Sequence, residues 1–162
     1  MTNQHPNRLP RPRTTLHWIA FGAGAGLAPR APGTVGTAVA IPIYLAIATA
    51  PPAVYALAVA FVAIAGAWVC GRTARDLGVH DHPGIVLDEI AGFLVTMTAL
   101  PFDWQWMVAG FVAFRIFDIV KPWPVSLADR RVGGGLGIML DDVIAGALAC
   151  AALHAIRYVI GG

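Results

Sequence analysis

Residues 53–71, AVYALAVAFVAIAGAWVCG, run without a single charge, close to the 20 or so residues a helix needs to cross the hydrocarbon of a bilayer. A chain with such a segment must bury it in a large core or place it in lipid. Four further apolar segments, at 35–50, 85–100, 107–120 and 136–160, argue for lipid. Of the 162 residues, 57% are hydrophobic and 12% charged, whereas a soluble domain carries about 25% charged residues to keep its surface in water. The mean hydropathy of +0.69 agrees. The expected fold is all-α, a multi-pass helical membrane protein with about four to five apolar helices.

Residues 16–28 are apolar but short, and Gly22, Gly24 and Gly26 weaken them as a helix. They are expected to form a short re-entrant or interfacial helix. The polar, proline-rich arm 1–15 is expected to be flexible and has no convincing cleavage site, which leaves 16–162 as a single helical domain. Pro42 interrupts segment 35–50, and this segment and 107–120 are short for spanning, so kinks or partial insertion stay open. Cys70 and Cys150 lie inside apolar runs without ligand spacing and read as small core residues. His17, His154 and the tryptophans are expected at the membrane interface.

All nine acidic residues fall between Asp76 and Asp142. With the N-terminal arm in the cytoplasm, alternation of the segments puts Arg8, Arg11, Arg13, Arg30, Arg72, Arg75, Lys121, Arg130 and Arg131 on the cytoplasmic side, as the positive-inside rule requires. The same alternation brings Asp81, Asp88, Glu89, Asp118, Asp129, Asp141 and Asp142 to that face. A net charge of +2 is too small to suggest nucleic acid as a partner. The sequence leaves the oligomeric state open.

Carboxylates crowded beside a low-dielectric region need compensation, because desolvation and mutual repulsion both penalise their charge. An all-oxygen donor set without cysteine favours a hard ion such as Mg²⁺. Asp81, Asp88, Glu89, Asp118, Asp141 and Asp142 are the candidate ligands. Asp88 and Glu89 are adjacent, as are Asp141 and Asp142, so members of each pair point about 100° apart on a helix. One member of each pair is expected to reach the metal while the other orients a basic partner or a water. Asp81, Glu89, His80 and Asp142 are the candidate catalytic residues. Arg115 stands three residues before Asp118, on the same helix face. Arg115, Lys121 and Arg72 would attract an anion, and the guanidinium fork suits phosphate. Thr34 and Thr37, in Gly33-Thr-Val-Gly36-Thr37, add hydroxyls, and this run and Gly133-Gly-Gly135-Leu-Gly137 could present backbone N–H groups to phosphate or serve close packing. Acids, a hard metal, basic clamps and glycine loops point to phosphoryl chemistry by a metal-activated water. Neither cysteine has an arginine at the spacing of cysteine-dependent phosphatases, and no Pro-Ser-Gly-His element is present.

The stretches GAGLAPRAPGTVG at 24–36, VHDH at 79–82, IVLDE at 85–89, FRIFDIVKPWP at 114–124 and GGLGIMLDDVIAG at 134–146 together resemble the phosphatidylglycerophosphatase A family of bacterial lipid phosphatases. The resemblance runs in order from about residue 16 to the end, with Thr37 where a serine is expected. It implies an all-helical fold and Mg²⁺-dependent removal of the terminal phosphate from phosphatidylglycerophosphate, giving phosphatidylglycerol, at the cytoplasmic side of the inner membrane. The partners implied are that lipid and the bilayer. Two rivals stay open: a phosphotransferase acting on lipid headgroups, and a divalent-cation transporter. The transporter would want its acids at mid-membrane rather than at one face beside basic residues.

Overall fold

A computed structural model describes residues 10–79 and 82–161, and among them there are helices and no strands. The order is α1 (Thr15–Ala20), a 3-10 turn (Gly22–Leu27), α2 (Pro32–Ile47), α3 (Pro52–Leu77), α4 (Leu87–Thr96), α5 (Trp104–Val120), α6 (Val125–Arg131) and α7 (Gly134–Val159). Proline opens α2 and α3 in the first helical turn, where the missing N–H costs nothing. The chain leaves α3 through Gly78 at φ 68°, with the Gly78 and Val79 N–H groups returning to the Arg75 and Ala74 carbonyls. Asp103 caps α5 by accepting from the Gln105 N–H at 2.9 Å.

Helix α7 is the axis of the bundle, packed against α3, α4, α5 and α6. The short α4 lies beside it, also touching α2, α3 and α5, with Ile90, Ala91, Phe93 and Leu94 buried. Two glycine pairs let the backbones close in. A Cβ on Gly135 would strike the backbone of Ala67 and Gly71 on α3, and one on Gly146 would strike the Gly92 carbonyl on α4. Such small-residue contacts are how helices pack where water does not drive them together. The glycine run that could have cradled phosphate therefore seats α7 on α3 at Gly135.

Two helices, α3 and α7, are long and apolar enough to cross a membrane, fewer than the four to five expected from the apolar segments. The difference is one of length. At 16 and 17 residues, α2 and α5 reach about 25 Å against a hydrocarbon core of about 30 Å, and α2 carries Pro42 inside it. The segment at 85–100 yields only the ten residues of α4, a half-length helix held inside the bundle. Residues 16–28 form α1 and the 3-10 turn, with Ala20 and Phe21 buried. On α3, Leu57, Phe61, Ile64 and Trp68 form an exposed apolar stripe.

His17 and His154, expected at the membrane interface, each find a partner within the protein. His17 is buried with its Nε2 3.5 Å from Asp76 Oδ2, and His154 Nε2 lies 3.0 Å from the Thr98 carbonyl, joining α7 to the turn after α4.

Candidate functional site

Helix α4 begins where the loop before it is pinned, the Val86 N–H donating to the Ala20 carbonyl at 2.9 Å. Its first turn thereby presents Asp88 and Glu89 to the flank of α7, where Asp142 faces them. Oxygens of Asp88, Glu89 and Asp142 lie within 4.8 Å of one another. Both Asp88 and Glu89 reach this cluster, and Glu89 also faces Arg115, where one of the two was expected to reach a metal and the other to orient a basic partner or a water. The 100° between neighbouring Cα–Cβ bonds is overcome because Glu89 has one more methylene than Asp88 and Asp142 approaches from another helix. Asp141 and Asp142 do part: Asp142 joins the cluster, while Asp141 Oδ2 accepts from Lys121 Nζ at 2.7 Å.

Two cations hold the rim. Arg115 Nη1 lies 2.5 Å from Asp118 Oδ2 and 3.7 Å from Glu89 Oε1, bringing the last turns of α5 to α4. Lys121 leaves α5 with φ 47°, and its ammonium donates to Asp129 on α6 at 2.5 Å as well as to Asp141. Burial works against the Lys121 ammonium, but the hydrogen bonds and charges of Asp129 and Asp141 outweigh it and raise the group above the ordinary lysine value of 10.5. Lys121 is therefore a fixed cation throughout the neutral range. The carboxylates and Lys121 line a cavity of about 210 Å³, with His82, Val132 and Gly137 completing it. His82 is buried, its Nδ1 accepting from the Gly84 N–H at 3.0 Å and its Nε2 2.9 Å from the Pro10 carbonyl.

Whether a hard cation suits these residues is tested by their unmet valences. Glu89 Oε2, Asp141 Oδ1 and Asp142 Oδ2 are buried without a hydrogen-bond partner. Buried carboxylate oxygens left this way are costly, and all are oxygen donors of the kind Mg²⁺ takes. The set fits.

Three predicted phosphate ligands are not brought to this cavity. Arg72 is largely exposed and ion-paired with Asp76 one turn on. Thr37 is fully buried, and its hydroxyl donates to the Gly33 carbonyl at 2.9 Å. Thr34 instead shares an apolar groove with Arg115. His80 and Asp81 lie outside the described residues. Two residues of this region carry roles that the sequence reading did not assign. A Cβ on Gly33 would collide with Glu89 Oε1 and press on Arg115 Nη1, so the glycine makes room for that ion pair. Asp129 shares Lys121 with Asp141, and its place eight residues after Lys121, beyond the Pro122-Trp-Pro124 corner, was the available signal.

Fold and site define a helical protein with an apolar exterior and a sunken carboxylate centre flanked by one arginine and one lysine. The chain belongs to the phosphatidylglycerophosphatase A family, whose sequence model matches residues 18–157. It is 48% identical over 143 residues to a phosphatidylglycerophosphatase A of Escherichia coli K12, covering 88% of this chain and 83% of that one. A phosphatidylglycerophosphatase A of Haemophilus influenzae is 37% identical over 160 residues, 98% of each chain. A Bacteroides thetaiotaomicron protein, provisionally described as a phosphatidylinositol-3-phosphatase, is 36% identical over 94% of this chain and 100% of its own. No solved structure matches.

Proposed function

We propose that this protein hydrolyses the terminal phosphomonoester of phosphatidylglycerophosphate to phosphatidylglycerol and inorganic phosphate, using Mg²⁺, at the cytoplasmic face of the bacterial inner membrane. Family membership supports the substrate, since relatives at 48% and 37% identity are described as phosphatidylglycerophosphatases. The observation that carries the chemistry is the convergence of Asp88, Glu89 and Asp142 within 4.8 Å, with buried oxygens still unmet.

In this reading Asp88, Glu89 and Asp142 hold the ion. When bound, Mg²⁺ supplies Lewis-acid polarisation of a phosphoryl oxygen and makes water more acidic. Asp118 fixes Arg115 against Glu89, and Asp129 with Asp141 fixes Lys121, so both cations face a phosphate without having to reorganise as charge develops. Attack by water breaks the bond between phosphorus and the glycerol oxygen, and that oxygen takes a proton as it leaves. Proton transfer is assigned to His80 and Asp81 from sequence alone. The apolar exterior supports a seat in the bilayer, and the distribution of basic residues supports the cytoplasmic orientation.

The test uses purified protein with phosphatidylglycerophosphate and Mg²⁺. Equal amounts of phosphate and phosphatidylglycerol should appear, stop on chelation with EDTA and return when Mg²⁺ is restored. Appearance of a new phospholipid without free phosphate would instead favour headgroup transfer. Asp88→Asn should abolish turnover and weaken Mn²⁺ binding measured by electron paramagnetic resonance. Full turnover by that variant would sink the metal assignment.

A further inference from the structure

The carboxylate cavity, at about 210 Å³ and walled by charge, is smaller than the 300 Å³ or so at which pockets begin to enclose a drug-sized ligand. It has room for a phosphate and an ion, so the hydrocarbon of a lipid must lie elsewhere.

A groove on the outer face, where α2 meets α5, offers that place. Phe111, Val112, Ile116, Ile119 and Val120 line it, with Thr34 and Arg115 as its polar members. Val112, Ile116 and Val120 follow each other at i, i+4 along one face of α5, over about 12 Å, and all three are half-exposed or more. Arg115 belongs to both spaces: it lines the groove and pairs with Glu89 and Asp118 of the cavity. Its Nε is buried without a hydrogen-bond partner, a donor that an oxyanion arriving along the groove could accept from. The first turn of α2 is pressed against the same guanidinium, since a Cβ on Gly33 would meet both Glu89 and Arg115. The two spaces are thus separated by one cationic side chain.

We propose that this groove seats an acyl chain of the substrate lipid, resting on the function proposed above. The lipid reaches the carboxylates sideways from the bilayer, its phosphodiester against Arg115 and Thr34 and its terminal phosphate beyond them beside Lys121. An apolar trough ending in a paired arginine matches a molecule whose acyl chains lead to a phosphodiester and, one glycerol further on, a terminal phosphate.

Val112→Trp and Ile116→Trp fill the groove from positions 50% and 53% exposed, so the bulk goes into the trough rather than the core. Each is assayed on dioleoyl phosphatidylglycerophosphate in mixed micelles and on dihexanoyl phosphatidylglycerophosphate as dissolved monomers. The ratio of kcat/KM for the long-chain over the short-chain lipid should fall about tenfold or more. Phe61→Trp, on the exposed stripe of α3, should leave that ratio where it is. Ile116→Ala opens the trough and should raise turnover of a branched-chain diphytanoyl substrate relative to dioleoyl, which carries the test should either tryptophan variant not fold. An unchanged ratio overturns the inference, and a changed oligomeric mass in light scattering with an unchanged ratio would make the groove a contact between copies of this chain. Failure of the unsubstituted protein to release phosphate from either lipid overturns the proposed function, and the inference with it.

Discussion

A Cβ at Gly33 would meet Glu89 Oε1 first and Arg115 Nη1 next. Both atoms end flexible side chains, so Gly33→Ala should cost little in stability, but it must move a carboxylate and its counter-ion. Displacements of about 1 Å in a catalytic centre cost about a hundredfold in rate. Gly33→Ala is expected to show that loss in phosphate release with an unchanged melting temperature, and a normal rate would remove Gly33 from the site. Arg72→Ala should stay within about threefold of the parent in the same assay, because an exposed i, i+4 pair contributes little. Lys121 makes a prediction about pH. Its folded value lies above 10.5, so its pairing with Asp129 and Asp141 is complete below the ordinary lysine value and is lost only as pH rises through the raised one. Loss of activity between about pH 6 and 9 should therefore be the same in Lys121→Arg as in the parent, measured as kcat/KM against pH. At this scale the sequence showed what local spacing determines: Arg115 and Asp118 at i, i+3 do form an ion pair. It missed what packing determines. Nothing near Thr37 says that its hydroxyl turns back to Gly33, and nothing near Gly33 says that Glu89 will sit on it.

Among the elements, α4 does the placing. Its ten residues carry acids in the first turn and an almost wholly buried body, so the acids are held by a helix that cannot slide without opening the core around Phe93 and Phe114. The contact of α7 with its neighbours fixes the other half of the centre. At Gly135 the obstruction to a side chain is backbone, the Ala67 carbonyl and Gly71, which cannot turn away as a side-chain end can. Gly135→Val should therefore force α3 and α7 apart and destabilise by about 1–3 kcal/mol or more, read as a lower melting temperature in detergent, with activity falling in parallel as Asp142 moves. A variant as stable as the parent would show that the crossing is looser than its geometry. Helix identity was legible in the apolar runs at 35–50, 53–71, 85–100, 107–120 and 136–160, each of which holds one helix. Helix length was not: segment 85–100 reads as one apolar run, yet α4 ends at Thr96, where the Thr96 hydroxyl donates to the Gly92 carbonyl at 2.9 Å and the chain turns under Tyr55, whose hydroxyl donates to the Leu94 carbonyl at 2.7 Å.

For the molecule as a whole, the question is which end of the bundle meets which side of a membrane. The exposed apolar stripe on α3 and the two helices of crossing length ask for lipid around the middle. The ends differ in charge. Arg75, Lys121, Arg130 and Arg131 lie at or beyond the ends of α3, α5 and α6, whereas the turn between α4 and α5 carries Asp103 and the exposed Trp104. Excess lysine and arginine mark the cytoplasmic side, and tryptophan marks an interface. The carboxylate centre lies toward the basic end, because Asp118 and Lys121 close α5 while Asp141 and Asp142 come early in α7. Orientation and access to substrate are thus one question. It can be settled by single cysteines in a Cys70→Ala, Cys150→Ala background, with Arg130→Cys at one end and Gln105→Cys at the other, both at exposed positions. A membrane-impermeant maleimide added to spheroplasts should label Gln105→Cys directly and Arg130→Cys only after the membrane is permeabilised. Labelling in the reverse order would turn the centre outward and require that the lipid be dephosphorylated on the far leaflet.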